Sequence, residues 1–330
     1  MKWLALTFGG ESCASTHYRV HQYVPLLKKM GIQFVCKPAS QLAHFGSFIG
    51  FDGILLQKKL LGFARRRKIA HSGLPVVFDI DDATWHPLEA NHHFLTRWRT
   101  AHRLRAILKL SQLALTANQF IASHLRKLHS RVEVLPMTLP LAAWKPVVRT
   151  NGPVVLGWAG APGNHFQLRT IESALKEVKR VMPEVVIRIF SGTRPEIDVE
   201  MDFVPFDATR QTEVLHSFSI GLLPLPETSF NHGKSPIKAL QYMAAGIPCV
   251  AAALSGTVEL LGQDGGGFFA GDTASWSEKM LQLARDSDMR ESMGRLARAR
   301  YEAEYTTERT VKRLAHYFHE LVVHSSRADG

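Results

Sequence analysis

The sequence predicts an α/β chain made of two doubly wound, Rossmann-like parallel sheets facing a cleft. Three observations predict it. Apolar runs of strand length alternate with helix-length segments along the whole chain. Gly and Pro punctuate the joins between them. The length, 330 residues, suits two ordinary domains that each bury a core. Such βα alternation makes a parallel sheet covered by helices on both faces, with ligands bound beyond the carboxyl ends of the strands.

The elements follow in order. Lys2–Phe8 is an apolar run and reads as a buried strand; Gly9-Gly10 turns the chain into a helix from about Thr16 to Met30, closed by Gly31. Ile32–Cys36 is the next strand, and Gly53–Gln57 follows Phe51-Asp52. Leu74-Pro75 leads into Val76–Ile80, and Ala114–Thr116 and Val132–Leu135 complete the first half. Lys145-Pro146 and Asn151-Gly152-Pro153 mark the linker. Val154–Trp158, Val185–Phe190, Ile220–Leu223 and Cys249–Ala252 are strands of the second half. Before the last of these, Ser235 stands as an N-cap and Pro236 as the first residue of a helix, where its missing N–H costs nothing. Ile237, Leu240 and Tyr242/Met243 recur at helical spacing, and Ala244-Ala245-Gly246 ends the run. The final helix, about Thr307–His324, carries Val311, Leu314, Ala315, Phe318, Leu321 and Val322 on one face. The domains are placed at residues 1–148 and 149–308, with 309–330 as a terminal helix. There is no internal repeat or low-complexity segment.

Composition narrows the function classes. No run of about 18 apolar residues exists, so no transmembrane helix is expected. The start, MKWLALTFGGESC, has one lysine and a short apolar stretch ending in Gly-Gly, and reads as a first strand rather than a signal segment. Cys13, Cys36 and Cys249 are too few and too scattered for a disulfide framework or a metal site, which fits a reducing cytoplasm. The net charge of +11 is uneven: residues 1–150 hold 21 Lys/Arg against 7 Asp/Glu, and residues 151–330 hold 19 against 22. The first half is therefore expected to face something anionic: a membrane surface, a lipid-linked phosphate acceptor or nucleic acid. Arg65-Arg66-Arg67-Lys68 and Arg97, Arg99, Arg103, Arg105 and Lys109, with Trp85, Phe94, Trp98 and Leu104 nearby, fit either a membrane-facing surface or solvated helix faces. No nucleic-acid motif is present, so no nucleic-acid partner is expected.

Four places can carry chemistry. The helix start after Asn231-His232-Gly233 offers free N–H groups with Lys234 and Lys238 on either side, a place to put a phosphate. Gly9-Gly10 and Gly157-Trp158-Ala159-Gly160-Ala161-Pro162-Gly163 are strand-to-helix turns whose backbone can approach a ligand. Neither is a G-x-G-x-x-G dinucleotide fingerprint. Val76–Ile80 ends in Asp79, Asp81 and Asp82, which suit sugar or acceptor hydroxyls, a structural role, or a hard cation, with hydroxyl contact favoured.

The run Lys234-Ser235-Pro236-Ile237-Lys238-Ala239-Leu240-Gln241-Tyr242-Met243-Ala244-Ala245-Gly246-Ile247-Pro248-Cys249-Val250-Ala251 resembles the donor-binding region of family 4 GT-B glycosyltransferases, the glycosyl transferases group 1 type. Their pattern there is K-[SC]-x-x-K-x-[LI]-[EQ]-Y-M-A-x-G-x-P-V-V-A. The resemblance is strongest from Ile220 to Val258 and weaker near 76–85 and 154–168. It implies transfer of a sugar from a nucleotide-sugar donor of unknown base to an acceptor hydroxyl, with retention, without a metal or other cofactor. Glycan or cell-surface polysaccharide synthesis is the implied setting, at the cytoplasmic membrane face.

The same resemblance assigns residues. Asp81 falls near a donor-contacting histidine of relatives, and Asp82 and Arg19 would meet the acceptor. Lys234 and Arg169 would stabilise the leaving diphosphate. Gly10, Gly160, Gly163, Gly233, Ser235, Pro236 and Ile237 would line the donor site, with Arg194 in a nucleobase loop and Gln241 on the ribose. The last helix would cross back to the first domain. Two departures stand out. The E-x7-E pair of relatives is replaced by Gly233 and Gln241, and Ser219 stands where relatives have Asp. These leave open a non-catalytic GT-B protein that binds a nucleotide sugar or a partner, or a nucleotide-sugar epimerase.

Overall fold

The computed structural model describes residues 1–11, 13–86, 94–146, 152–263 and 266–328, the last four of these as backbone only. Ser12 and Asn151, and the 148/149 boundary, lie outside them. The chain divides into two compact units: Met1–Pro140, His232–Ser235 and Thr307–Gly330 form the first, and Leu141–Asn231 and Pro236–Thr306 the second.

The first unit holds six parallel strands: β1 (Lys2–Thr7), β2 (Gln33–Pro38), β3 (Gly53–Gln57), β4 (Val76–Ile80), β5 (Leu113–Thr116) and β6 (Val132–Val134), in the order β2-β1-β3-β4-β5-β6. Strand side chains alternate between faces, and here both faces are apolar. Leu4, Leu6, Ile54, Leu56, Val76 and Phe78 pack on one side with Leu104, Ile107 and Leu108 of the helix Phe94–Leu110. Trp3, Ala5, Leu55, Val77 and Leu115 pack on the other against Leu314, Phe318 and Leu321 of the helix Thr307–Ala328. Trp3 and Phe318 rings lie 4.5 Å apart.

One helix differs from expectation. The segment expected as one helix over 16–30 is broken into Ala14–Arg19, a 3-10 turn at His21–Tyr23, and Val24–Lys29. Pro25 has no N–H to continue the ladder, and Val20 leaves helical geometry at φ −130°, ψ −65°. Gly31, at φ +79°, closes the last piece as expected.

The second unit repeats the plan with β7 (Val155–Ala159), β8 (Val186–Ser191), β9 (Asp202–Pro205), β10 (Ile220–Leu223), β11 (Cys249–Ala252) and β12 (Gly267–Ala270), all parallel, ordered β12-β11-β10-β7-β8-β9. The helix Ile237–Ala245 buries every residue from Ala239 to Ala245 and stops at Gly246, whose φ of +69° ends it in the left-handed cap that glycine adopts freely. Its start is one correction to the sequence reading. Pro236 rather than Ser235 sits at the cap, with φ −81°, ψ 67° and no side-chain cap hydrogen bond. Ser235 Oγ instead donates to the Asp81 carbonyl at 3.1 Å, within the first unit.

Candidate functional site

Each unit carries its own cluster at the carboxyl ends of its strands. In the first unit, β3 and β4 are neighbours, so Lys58 just beyond β3 lies beside Asp81 and Asp82 just beyond β4. Lys58 Nζ pairs with Asp81 Oδ1 at 3.0 Å and also with Asp82. Among the described residues Lys58 is the one non-glycine with positive φ, at 58°. Its backbone N–H donates to the Asp79 carbonyl at 2.7 Å, which locks the turn. Burial works against the Lys58 charge, but Asp81 and Asp82 outweigh it and hold the ammonium above its ordinary pKa. Asp82 is pushed up by burial and by the Asp81 charge, with Lys58 and Lys234 pulling the other way. Asp81 is 3% exposed, and Ser15 Oγ donates to its Oδ2 at 2.6 Å.

Asp79 and Arg19 form a separate, buried pair. Arg19 Nε donates to Asp79 Oδ2 at 3.1 Å, a second guanidinium N–H reaches Oδ1, and a third reaches the Leu135 carbonyl. This two-bond geometry belongs to an ionised pair. The Arg19 side chain is 0% exposed, so it is not presented to an acceptor, as the resemblance implied. It anchors the break after the first helix to the end of β4. All three carboxylates are thus in ion pairs, Asp79 with Arg19 and Asp81 and Asp82 sharing Lys58, and among the described residues no group of three His, Cys, Asp or Glu is arranged to hold a metal.

The segment 232–235 belongs to the first unit and is fixed from several sides. Asn118 caps the helix Gln119–Leu125 by accepting from Ile121 N–H at 3.0 Å, and its Nδ2 donates to the Gly233 carbonyl at 3.0 Å. The Phe120 and His232 rings stack 5.7 Å apart. A Cβ on Gly233 would lie 2.5 Å from the Ala83 Cβ, so glycine is required there by close packing. Lys234 follows, half-buried, its pKa lowered by burial, with Asp82 acting in the opposite sense.

In the second unit, Gly160 and Gly163 flank the turn beyond β7; Gly163 has open space where a side chain would be. His165 Nε2 lies 2.8 Å from Ser191 Oγ, at the ends of neighbouring strands β7 and β8. Arg169 is exposed and directed to Glu196 at 3.4 Å, and Arg194 is exposed. Gln241 is 1% exposed within the buried helix. Ser219 Oγ accepts from Val155 N–H at 3.0 Å, so that position closes the sheet. Lys238, in the first turn of the helix Ile237–Ala245, has no hydrogen bond or ion pair among the described residues, and burial alone lowers its ammonium to about 8.

The structure thus gathers Gly10, Asp81, Asp82, Gly233, Lys234 and Ser235 into the first unit, and Gly160, Gly163, Arg169, Arg194, Pro236, Ile237 and Gln241 into the second. Lys58, Ser15 and Asn118 were not found from sequence. The signal for Lys58 was strand order alone, since only adjacency of β3 and β4 brings it to the aspartates.

Residues 141–286 match the model of the family described as glycosyl transferases group 1. No curated protein matches the chain. Among solved structures, a sucrose-phosphate synthase from Thermosynechococcus elongatus is similar at TM-score 0.75 and 13% identity, over 98% of this chain and 100% of that one. HepE of Anabaena, bound to UDP, is similar at TM-score 0.72 and 14% identity, over 97% and 100%. A TarM variant of S. aureus, bound to fondaparinux, α-GlcNAc-glycerol and UDP, is similar at TM-score 0.67 and 12% identity, over 85% and 58%. The expected group 1 resemblance and the GT-B fold are both borne out.

Proposed function

We propose that the protein is a glycosyltransferase that moves a sugar from a nucleoside-diphosphate sugar to an acceptor hydroxyl, with retention and without a metal. One observation carries this reading. Within the group 1 match, Lys238 is a half-buried ammonium with no hydrogen bond or ion pair among the described residues, in the first turn of a helix whose cap residue makes no side-chain hydrogen bond. A buried cation without a counterion is costly, and an anion that binds there removes the cost. The donor diphosphate is that anion, and the Gly160–Gly163 turn is assigned to the same donor.

In the first unit Asp81 and Asp82 are assigned to sugar and acceptor hydroxyls, because carboxylates accept hydrogen bonds from them. Lys234 is assigned to charge that builds on the departing phosphate. Arg169 takes part only if it leaves Glu196, an exposed pairing that costs little to break. UDP is the first base to test, since it is bound by HepE and TarM. The acceptor is assigned to glycan or cell-surface polysaccharide synthesis, at the cytoplasmic membrane face. Among the described residues no helix is long and apolar enough to cross a membrane.

The test is thermal stability against UDP, GDP, ADP, CMP and dTDP, with and without EDTA, followed by turnover of the matching nucleotide sugar. A ligand at about 100 times its dissociation constant adds roughly 2.7 kcal/mol. One diphosphate that stabilises despite EDTA, together with turnover, supports the proposal. Stabilisation without turnover of any nucleotide sugar would move the protein to the non-catalytic reading.

A further inference from the structure

We propose that a groove along the helix Phe94–Leu110 binds an anionic saccharide, one bearing carboxylate or phosphate groups, as part of the acceptor; this rests on the transferase reading. The groove lies wholly in the first unit and has a volume of about 450 Å³, lined by Trp85, His86, Arg97, Trp98, Arg105 and His124 among others. That volume is of the size that holds a small ligand.

Its walls are flat and aromatic. Trp85 and His124 rings stack at 4.2 Å and 9°, and Trp98 stacks on His102 at 5.5 Å and 17°. Trp98 is 58% exposed, an indole face held open to a ligand. Indole faces suit the C–H faces of sugar rings, which are apolar on one side and hydroxylated at the edge. Trp85 Nε1–H is buried without a hydrogen-bond partner among the described residues.

The charged side chains on the described lining are basic. Arg97 and Arg105 are both exposed, and no Asp or Glu lines the groove among the described residues. His86 is lowered by burial and Arg97, and His124 by burial, His86, Lys127 and Arg105, so both imidazoles are neutral ligands for hydroxyls beside a pair of guanidinium forks. Ring contacts run from the groove to the segment 232–235. His86 and Phe120 rings lie 6.3 Å apart, Phe120 stacks on His232, and His232 adjoins Gly233 and Lys234. Leu104 and Leu128 line the groove beside the rings.

The test is tryptophan fluorescence of the full chain titrated with trigalacturonate, maltotriose and inorganic phosphate, alongside sedimentation with phosphatidylglycerol vesicles. Trigalacturonate is expected to bind, maltotriose at least about tenfold more weakly, and Trp98→Ala and Arg105→Gln each to weaken trigalacturonate about tenfold, a loss of roughly 1.4 kcal/mol. UDP stabilisation is measured on the same samples and is expected to be unchanged. Equal binding of both saccharides, no binding, competition by phosphate at equal charge, or vesicle binding abolished by both variants would each overturn the proposal. If one of the nucleotides stabilises while the groove binds nothing, the groove assignment fails alone; if UDP, GDP, ADP, CMP and dTDP all have no effect, the transferase reading fails.

Discussion

Lys238→Met should make the unliganded protein more stable and the donor site worse. Burial alone carries the Lys238 ammonium from its ordinary 10.5 down to about 8. At about 1.4 kcal/mol per unit, holding that charge in the fold costs up to about 3 kcal/mol, less whatever water still reaches the half-buried ammonium. Below pH 8 both folded and unfolded chains carry the proton, and the whole penalty is present. Between pH 8 and 10.5 the unfolded chain keeps its proton and the folded chain has lost it, so the penalty shrinks as pH rises. Methionine has a similar straight chain and no charge to bury. Urea midpoints of both proteins at pH 7 and pH 10 check this: the variant should be the more stable at pH 7, and the two should converge by pH 10. The same variant should lose most of the stabilisation by UDP. A variant that is less stable at pH 7, or an advantage that does not change with pH, would refute the reasoning, since Lys238 would then have a counterion in solution.

Other perturbations follow from the first unit. Lys58→Met leaves Asp81 and Asp82 as unpaired like charges and should cost about 3 kcal/mol at pH 7.5 by urea unfolding. Because Asp82 is already raised by burial and by Asp81, protonation favours the fold, and that loss should diminish as pH falls toward 5. Gly233→Ala puts a methyl against Ala83 and Phe120 and should cost about 1–3 kcal/mol of thermal stability, with transferase turnover falling further. Ser219→Ala removes the acceptor for Val155 N–H and should cost about 1 kcal/mol while leaving UDP affinity unchanged in a titration.

Much of the fold was legible because strand signals are local. Val76–Ile80 and Gly53–Gln57 are continuous apolar runs between turn residues, and both are strands with those bounds. The helix closed by Gly246 was legible for the same reason, since small residues, a left-handed cap and a following proline sit next to one another in the chain. What misled was competition between local rules and distant partners. Ser235 has the chemistry of an N-cap, but its hydroxyl is claimed by a carbonyl 154 positions away in sequence. Arg19 was expected to meet the acceptor, and only the fold reveals that three of its N–H groups go to Asp79 and the Leu135 carbonyl.

The replaced glutamate positions are best understood from the same contrast between local chemistry and packing. Gly233 was read both as a donor-site residue and as the place where a first glutamate would stand. In the structure its carbonyl is held by Asn118 and its missing side chain lets Ala83 and Phe120 close on the backbone. The position is therefore committed to packing, and no carboxylate can be restored there without opening that contact. On the function proposed above, the carboxylates would come from Asp81 and Asp82, which Lys58 pairs with from a left-handed turn at φ 58°. Such strain costs about 1–2 kcal/mol in a non-glycine residue. A glycine would relieve it, but would give up the ammonium that keeps two neighbouring aspartates together in a half-dry site. On that proposal, lysine at that turn serves to hold the two carboxylates side by side. Lys58→Gly is accordingly expected to lose turnover even though it removes the backbone strain, and turnover in Lys58→Gly equal to that of the unaltered protein would break the link between the strained turn and the chemistry.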